Sequence, residues 1–567
     1  MSNTSTLSRR SFVAGALATA AAIAAAGAAG NVALADQKVY DSDAQGARDG
    51  GEMKWYITNP VAIEPFGAEE NQGVQVMNCT YDTLTDYDWE KGEIVPLACE
   101  SYESNDDATQ FTFHLKKDLT FHNGKPVTAA DYKYSWERIC KPDFKPQPSS
   151  LAYKLNMIKG AKEMQAGQAT EMEGIECPDD YTLVVNLTQP FSDFDGQVAD
   201  YATAAVPAGS TDDEASFQSF RTHPVGNGPF KVDDNGWVDS QYVRVVRNDA
   251  YTGEKPHLDA ITFVVYKDDQ TAWTEFQAGN LDFTLLPSGQ FTAAEATYGK
   301  ADKDGYVANP GHQTLDGEET SIYYLIINNN DPVMSNKDLR IAMSYAINRQ
   351  AICDTVLQGT KAPASDILAP GIPGHAENGW DNCPAEGDKD KAGEYFDKAG
   401  YPLNSQGRRD LTITLSTNNT TDNNNIMSMI QADLDACGVT ASINTMEWAA
   451  YIDALQGGDY QCGRLGWTVQ VPAPYMVLQP LFYTGSGDNN SQYTNPDFDK
   501  LIDEAGAITD QDERVKKYQE ADRKLSDDFP VVPLFYYRHT YVASQRVNNL
   551  FLDARGYARM QRTWLSA

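Results

Sequence analysis

A repeat of strand and helix patterns between residues 411 and 467 constrains the fold of this chain most strongly. The strand-like segments read LTITLSTNN, VTASINTMEW and YQCGRLGW, and the helix-like segments between them read NIMSMIQADLDACG and AAYIDALQGG. Strands that are joined by helices through short links lie parallel in one sheet. This segment therefore predicts an α/β fold with a mostly parallel sheet.

The ends of these strands are where a ligand is expected. In open parallel sheets, ligands bind in the crevice beyond the carboxyl ends of the strands. Asn418 ends the first strand, and Gly466, Trp467 and Thr468 end the third strand just before Gln470. On its position alone, Trp467 could equally be a packed core aromatic.

The rest of the chain predicts further cores. A chain of 567 residues is too long for one core and predicts three or four domains or lobes. Alternation in QFTFHL indicates a half-buried strand, and Thr128 with Asp131 predicts a capping box at a helix start. Asn235–Gly236 predicts the turn of a β-hairpin.

The charge balance excludes some partners. The formal net charge is −35. Nucleic-acid binding depends largely on basic contacts with phosphate, so we expect no nucleic-acid partner. The same charge argues against docking on anionic lipid heads and favours solubility outside the cell.

The N-terminus predicts export. Ser8–Val13 contains Arg9–Arg10, an apolar Ala-rich run follows, and ALA at 33–35 matches a small-residue cleavage site. We expect residues 1–35 to be a twin-arginine-type signal that is cleaved after Ala35, so that the mature protein is periplasmic or on the cell surface. No Cys lies near this site for lipid attachment.

The cysteines and the missing motifs favour binding over catalysis. No C-x-x-C pair supports a zinc or thiol-redox site, and no nucleophile or metal motif is present. We therefore expect no catalytic residues, no metal and no cofactor. An even number of cysteines permits disulfides in an oxidising compartment, and one hypothesis is sequential pairing: 79–99, 140–177, 353–383 and 437–462.

Several ordered segments resemble the extracellular solute-binding proteins of peptide ABC importers, family 5. The resemblance spans about residues 52–545, and the segments that carry it are VPLACESYESNDDATQFTFHLKKDLTFHNGKPVTAADYKYSWER, HPVGNGPFKV, INNNDPVMSNKDLRIAMSYAINRQAI and MEWAAYIDALQGGDYQCGRLGW. It implies an α/β, two-lobed clamp of the periplasmic-binding-protein type, with mixed sheets in both lobes and an extra subdomain in lobe 1. The implied divisions are lobe 1 at 51–80, 206–311 and 535–567, the extra subdomain at 81–205, and lobe 2 at 312–534.

The resemblance also implies function and partners. A monomer would capture a small solute, typically a peptide, by hinge closure and pass it to a permease with ATPase subunits. The chain would cross between lobes near His312 and near Pro533–Phe535. The ligand-binding candidates are Asn328, Asn418, Trp448, Gly466, Trp467, Thr468 and Gln470.

Gln470 departs from the family pattern. Peptide-binding relatives commonly carry an Asp at this position, which pairs with the ligand's α-ammonium, whereas Gln470 has no charge. Two alternatives follow: another acid takes over, or the ligand has no free ammonium there. The second alternative admits a blocked peptide, a glycan, or a metal or haem complex. A hydrolase or sensor on the same scaffold is a third hypothesis, which no motif supports.

Overall fold

We describe the protein from a computed structural model covering residues 46–68, 70–144, 149–376 and 379–567. The signal peptide predicted at residues 1–35 lies outside the described residues. No helix in the described part of the chain is long and apolar enough to cross a membrane.

Lobe 1 is built on a seven-stranded mixed sheet. Its strands, from one edge to the other, are β13 (Thr314–Leu315), β20 (Tyr541–Ala543), β11 (Phe283–Leu285), β1 (Glu52–Ile57), β10 (Ala260–Val265), β9 (Tyr242–Arg247) and β8 (Phe230–Val238). The central strand β1 is parallel to β10 and β11, and the outer pairs are antiparallel. The sheet buries Trp55 against Phe263 and Phe283.

Lobe 2 is built on a six-stranded sheet, which is also mixed. Its strands in order are β15 (Ala362–Pro363), β19 (Val531–Arg538), β14 (Glu318–Ile327), β18 (Cys462–Thr468), β16 (Thr412–Asn418) and β17 (Thr440–Met446). The predicted repeat forms three parallel strands, with β16 between β17 and β18. The other half of the sheet is antiparallel, so the expectation of a mostly parallel sheet was wrong.

The extra subdomain carries a four-stranded antiparallel sheet. Its order is β4 (Cys99–Ser104), β5 (Gln110–Leu115), β7 (Thr182–Asn186) and β6 (Ile175–Asp179). Strand β5 buries Phe111, Phe113 and Leu115 and leaves the alternate residues half-buried, as predicted. The predicted helix start is confirmed, because the Thr128 amide and hydroxyl both donate to Asp131 Oδ2.

The remaining elements are two-stranded pairs and helices. The pairs are β2 (Thr85–Asp88) with β3 (Glu93–Pro96), β12 (Val307–Ala308) with β22 (Leu550–Phe551), and β21 (Val547–Asn548) with β23 (Trp564–Leu565). The α-helices are α1 (Asn71–Thr80), α2 (Ala129–Ile139), α3 (Ala161–Gln165), α4 (Phe194–Gln197), α5 (Glu214–Thr222), α6 (Asp269–Gln277), α7 (Phe291–Tyr298), α8 (Lys337–Ala346), α9 (Arg349–Thr355), α10 (Lys389–Lys398), α11 (Thr421–Ala436), α12 (Trp448–Gly457), α13 (Tyr475–Phe482), α14 (Pro496–Gly506) and α15 (Gln511–Asp528).

The hairpin between β8 and β9 turns later than predicted. Asn235–Gly236 lies inside β8, where the register shifts between Val232 and Trp237. The turn follows Val238 and places Ser240 at a positive φ of 60°. A bulge and a turn both favour Asn-Gly, so the dipeptide alone does not distinguish them.

The chain passes between the two large sheets at two adjacent linkers. Residues 316–317 connect β13 of lobe 1 to β14 of lobe 2, and residues 539–540 connect β19 back to β20. The linkers are tied together, since the His539 amide donates to Gly317 O at 3.0 Å and Arg538 Nε donates to Asp316 Oδ1 at 3.0 Å. Paired linkers of this kind are where a hinge between lobes would lie.

These crossings differ from the expected positions. His312 precedes β13 on the lobe 1 side, and Phe535 pairs with Tyr323 inside the lobe 2 sheet. The segment VVPLFYYRHTYVA is apolar except at Arg538, His539 and Thr540, and the chain changes sheets at these residues.

All eight cysteines are free thiols, so the sequential disulfide hypothesis was wrong. Seven of the cysteines are buried, and Cys177 is half-buried. Burial raises the pKa of the Cys79 and Cys140 thiols to about 12, which keeps them protonated and unreactive at neutral pH.

Thiol titration of the purified, unfolded protein without reductant should therefore count eight free cysteines. The same titration on the folded protein should count one at most, because only Cys177 is accessible. A count of six or fewer in the unfolded protein would show that disulfides form.

Candidate ligand-binding site

The strand ends of lobe 2 converge on the edge of the sheet that faces the linkers. Parallel pairing brings Asn418 beside Met446 at the ends of β16 and β17, and antiparallel pairing brings Thr468 beside Ser321 at the start of β14. Because β14 starts directly after a linker, this edge borders the gap between the lobes. Of the predicted site residues, Asn418, Trp448, Gly466, Trp467 and Thr468 lie along it.

Asn328 does not lie at this edge. It follows the last residue of β14, about 20 Å along the strand from Ser321. Its Nδ2 donates to Gly458 O at 2.9 Å and Tyr460 O at 3.1 Å, so the amide holds a loop at the far end of the sheet. The structure therefore does not bring Asn328 together with the other predicted site residues.

Arg464 is the main charged group at the edge. Its guanidinium lies between two aromatic rings, 5.2 Å from the Trp448 centroid and 5.8 Å from the Tyr323 centroid. Its Nε donates to Asn418 Oδ1 at 2.8 Å. Among the described residues, no carboxylate oxygen lies within 4.0 Å of it. A half-buried guanidinium close to two aromatic rings, with no carboxylate partner in the described part of the chain, is suited to bind an anionic group.

Arg464, Tyr323, Trp448 and Tyr537 together form a wall at this edge of the sheet. Tyr323 is buried, and its hydroxyl donates to Asn423 Oδ1 at 3.0 Å at the start of α11. Trp448 begins α12 and is 40% exposed, which is unusual for a Trp outside a binding surface. Tyr537 on β19 packs at 5.8 Å from the Phe535 ring on the same strand.

Gly466 and Trp467 have separate structural roles. A Cβ at Gly466 would lie 2.7 Å from Tyr537 Oη, so glycine is needed for the tyrosine to approach the strand. Trp467 is half-buried, and its Nε1 donates to Met476 O at 2.7 Å. This bond fixes the loop between β18 and α13, while the exposed part of the ring remains available.

Gln470 lies in that loop against the C-terminal segment of lobe 1. Its backbone oxygen accepts from Arg555 Nη1 at 3.3 Å, whereas its side-chain Oε1 is buried without a hydrogen-bond partner. Arg555 is itself neutralised by Asp553, whose Oδ2 lies 2.6 Å from Nη2. A buried acceptor without a partner is costly and can accept from a ligand donor.

Sequence analysis missed Arg464, Tyr323 and Tyr537. Arg464 is the only charged residue from Tyr460 to Gly487, in a chain where charged residues make up 22%. That isolation was a usable signal. The sequence contains no comparable signal for Tyr323 and Tyr537, because apolar strands contain many aromatic residues.

A second contact joins the extra subdomain to lobe 2. Asp193 is buried and accepts from Arg514 Nε and from the Tyr518 hydroxyl, both at 2.8 Å. Phe191 packs edge-on against Tyr475 at 5.3 Å. Since the subdomain belongs to the lobe 1 side and the partners lie on α13 and α15, this contact holds the two sides together.

Comparison with known proteins decides the family. Residues 93–489 match the model of bacterial extracellular solute-binding proteins, family 5, over more than half of the chain. The chain belongs to this family. Its members are binding proteins and not enzymes, and extracellular placement agrees with an exported chain.

Full-length relatives of this family 5 protein support the same conclusion. The oligopeptide-binding protein OppA of Bacillus subtilis is 27% identical over 504 residues, covering 88% of this chain and 90% of the relative. Heme-binding protein A of Haemophilus influenzae is 26% identical, with 84% and 85% covered. The solved structure of Burkholderia pseudomallei OppA has the same fold, with a TM-score of 0.77 at 24% identity, and covers 92% of this chain and 99% of that one.

Proposed function

We propose that this protein is the substrate-binding component of an ABC importer, and that it captures peptides or peptide-like solutes by closing its two lobes. The observation that carries the proposal is Arg464, a cation on a wall between the lobes that has no carboxylate partner among the residues the structure describes. A solute carboxylate, such as the end of a peptide, would pair with it.

The edge of β18 supports an extended ligand. β16 pairs with β18 only as far as Gly463, and the Tyr451 hydroxyl bonds the backbone N–H and C=O of Arg464. Residues 465–468 have β14 on one side and no strand partner on the other within the described chain. An extended peptide could add there as a strand, with backbone hydrogen bonds that do not depend on side chains. This arrangement favours a peptide over a ligand without amide groups.

A second candidate function is capture of a non-peptide solute by the same clamp. Gln470 motivates it, because this loop has no acid to pair with an ammonium. Heme-binding protein A shows by its name that a relative binds a cargo other than a peptide. Under this second candidate function, the solute would be a glycan, or a metal or haem complex.

The two candidates can be separated by the ligand itself. Protein purified from its native source is unfolded, and the released small molecules are identified by mass spectrometry. In parallel, a mixture of random tripeptides to pentapeptides is tested for a rise in melting temperature. A released peptide and a rise with the mixture support the first candidate; a different solute and no rise support the second.

Gln470→Asp should increase the affinity for peptides with a free α-amine, by about tenfold, if the amino end meets this loop. The new carboxylate would supply the charged partner that Gln470 lacks. Titration calorimetry with free and N-acetylated forms of one peptide measures the effect, and the acetylated form is the control. Unchanged affinity for the free form would place the amino end elsewhere.

The proposal also covers the division of the chain into lobes, its export and its protein partners. Lobe 2 would comprise residues 318–538, residues 81–205 would form the extra subdomain, and the rest from residue 51 would form lobe 1. The protein would leave the cytoplasm by a twin-arginine-type signal at residues 1–35 and act as a monomer. It would deliver its solute to a permease with ATPase subunits.

A further inference from the structure

Glu319 is a carboxylate at the gap between the lobes. It is the second residue of β14, directly after a linker. Thr468, the last residue of β18, pairs with Ser321, and Glu319 lies two residues before Ser321 on β14.

A separate contact places the two residues in one neighbourhood. Gln470 O accepts from Arg555 Nη1 at 3.3 Å, and a Cβ on the next residue, Gly556, would lie 3.2 Å from Glu319 Oε1. Both residues therefore border the same short segment of lobe 1. Glu319 and the loop at Gln470, where a charged partner is missing, therefore border the same part of the gap between the lobes.

No cation of the described chain pairs directly with Glu319. Its only basic neighbour within 4.0 Å is His539, whose Nδ1 lies 3.9 Å from Oε1. Burial lowers the pKa of His539 to about 3, so the ring is neutral at physiological pH. The charge of Lys361, which lies more than 4.0 Å away, lowers the pKa of Glu319. Lys361 Nζ donates to Arg538 O.

The other charged groups around Glu319 are already balanced or neutral. Asp553 is paired with Arg555, and Tyr537, Tyr541 and Tyr557 are protonated phenols. The Glu319 side chain is only 14% exposed. Desolvation, the largest influence, raises its pKa to about 7; the Lys361 charge and a hydrogen bond with Ser321 oppose this rise, and the Asp553 charge adds to it. A desolvated carboxylate without a directly paired cation is stabilised strongly when a ligand brings a cation to it.

We propose that Glu319 binds the cationic amino end of the solute, in place of the acid that the loop at Gln470 lacks. This inference rests on the proposed peptide function and deepens it. A peptide would then lie with its ammonium toward Glu319 at the linkers and its carboxylate toward Arg464. The predicted specificity is for free-amine peptides in spite of Gln470.

The test compares wild type with Glu319→Gln. Two probes are used, a mixture of random tripeptides to pentapeptides and the same mixture after N-acetylation, and bound peptide is quantified by native mass spectrometry. The matched control is Glu318→Gln, which removes the preceding carboxylate on the same strand, 58% exposed and paired with Arg538. Glu319→Gln removes a desolvated charge, so its melting temperature without ligand should not fall.

We expect wild type and Glu318→Gln to favour the free-amine mixture, and Glu319→Gln to lose that preference by at least about tenfold. Equal binding of both mixtures by wild type, or a preference that persists in Glu319→Gln, would overturn the inference while leaving peptide binding intact. Binding of neither mixture by wild type would overturn the peptide function, and this inference with it.

Discussion

Replacing Arg464 by methionine should weaken binding of the peptide mixture by about thirtyfold or more, measured by titration calorimetry. The ligand carboxylate would lose its charged partner in a partly desolvated wall. Methionine preserves much of the side-chain volume between Trp448 and Tyr323, so the wall should keep its shape.

Arg408→Met is the matched control for this change. Arg408 is another arginine of lobe 2, is 38% exposed and pairs with Asp435 at 2.6 Å on the outer surface. Surface pairs of this kind contribute little, so we expect affinity within about twofold of wild type. Equal affinity of Arg464→Met and Arg408→Met would remove Arg464 from the site.

Replacing Asp193 by alanine should open the clamp. The change leaves the Arg514 guanidinium without its carboxylate and the buried Tyr518 hydroxyl without its acceptor. Breaking a buried pair in this way costs about 3–5 kcal/mol. Because the contact joins the subdomain to lobe 2, the cost falls on the closed state, and apparent affinity should drop by about a hundredfold or more.

Two readouts separate closure from folding. Small-angle scattering should show a larger radius of gyration for Asp193→Ala with ligand, while its melting temperature without ligand stays near that of wild type. Gln189→Ala is the control, since it removes an exposed bond of the same interface, from Gln189 Nε2 to Asp503 Oδ1 at 2.7 Å. A large fall in melting temperature with unchanged scattering would mean that the contact is part of the fold and never opens.

Local patterns predicted the elements that depend on local physics. The β5 alternation, the Thr128 capping box and the three parallel strands follow from side-chain periodicity and short links. Asn328 shows the limit of such patterns. A polar residue ending a strand marks an end, but whether that end faces the crevice depends on strand direction, and β14 runs antiparallel.

Contacts between residues that are distant in the sequence could not be predicted from local patterns. Asp193 and Tyr518 are 325 residues apart, and no local pattern pairs them. The same holds for Glu319 and Gln470, which are distant in the sequence but border the same short segment at Arg555 and Gly556. The disulfide prediction failed for another reason, because an even number of cysteines reveals neither their burial nor the distances between their sulfur atoms.

A crystal structure of the protein purified with its natural solute tests the account most directly. The account predicts solute density between the lobes, with an anionic group within hydrogen-bond distance of Arg464 and the chain of the solute along residues 465–468 of β18. Solute bound on an outer surface, with Arg464 facing only water between the lobes, would contradict it.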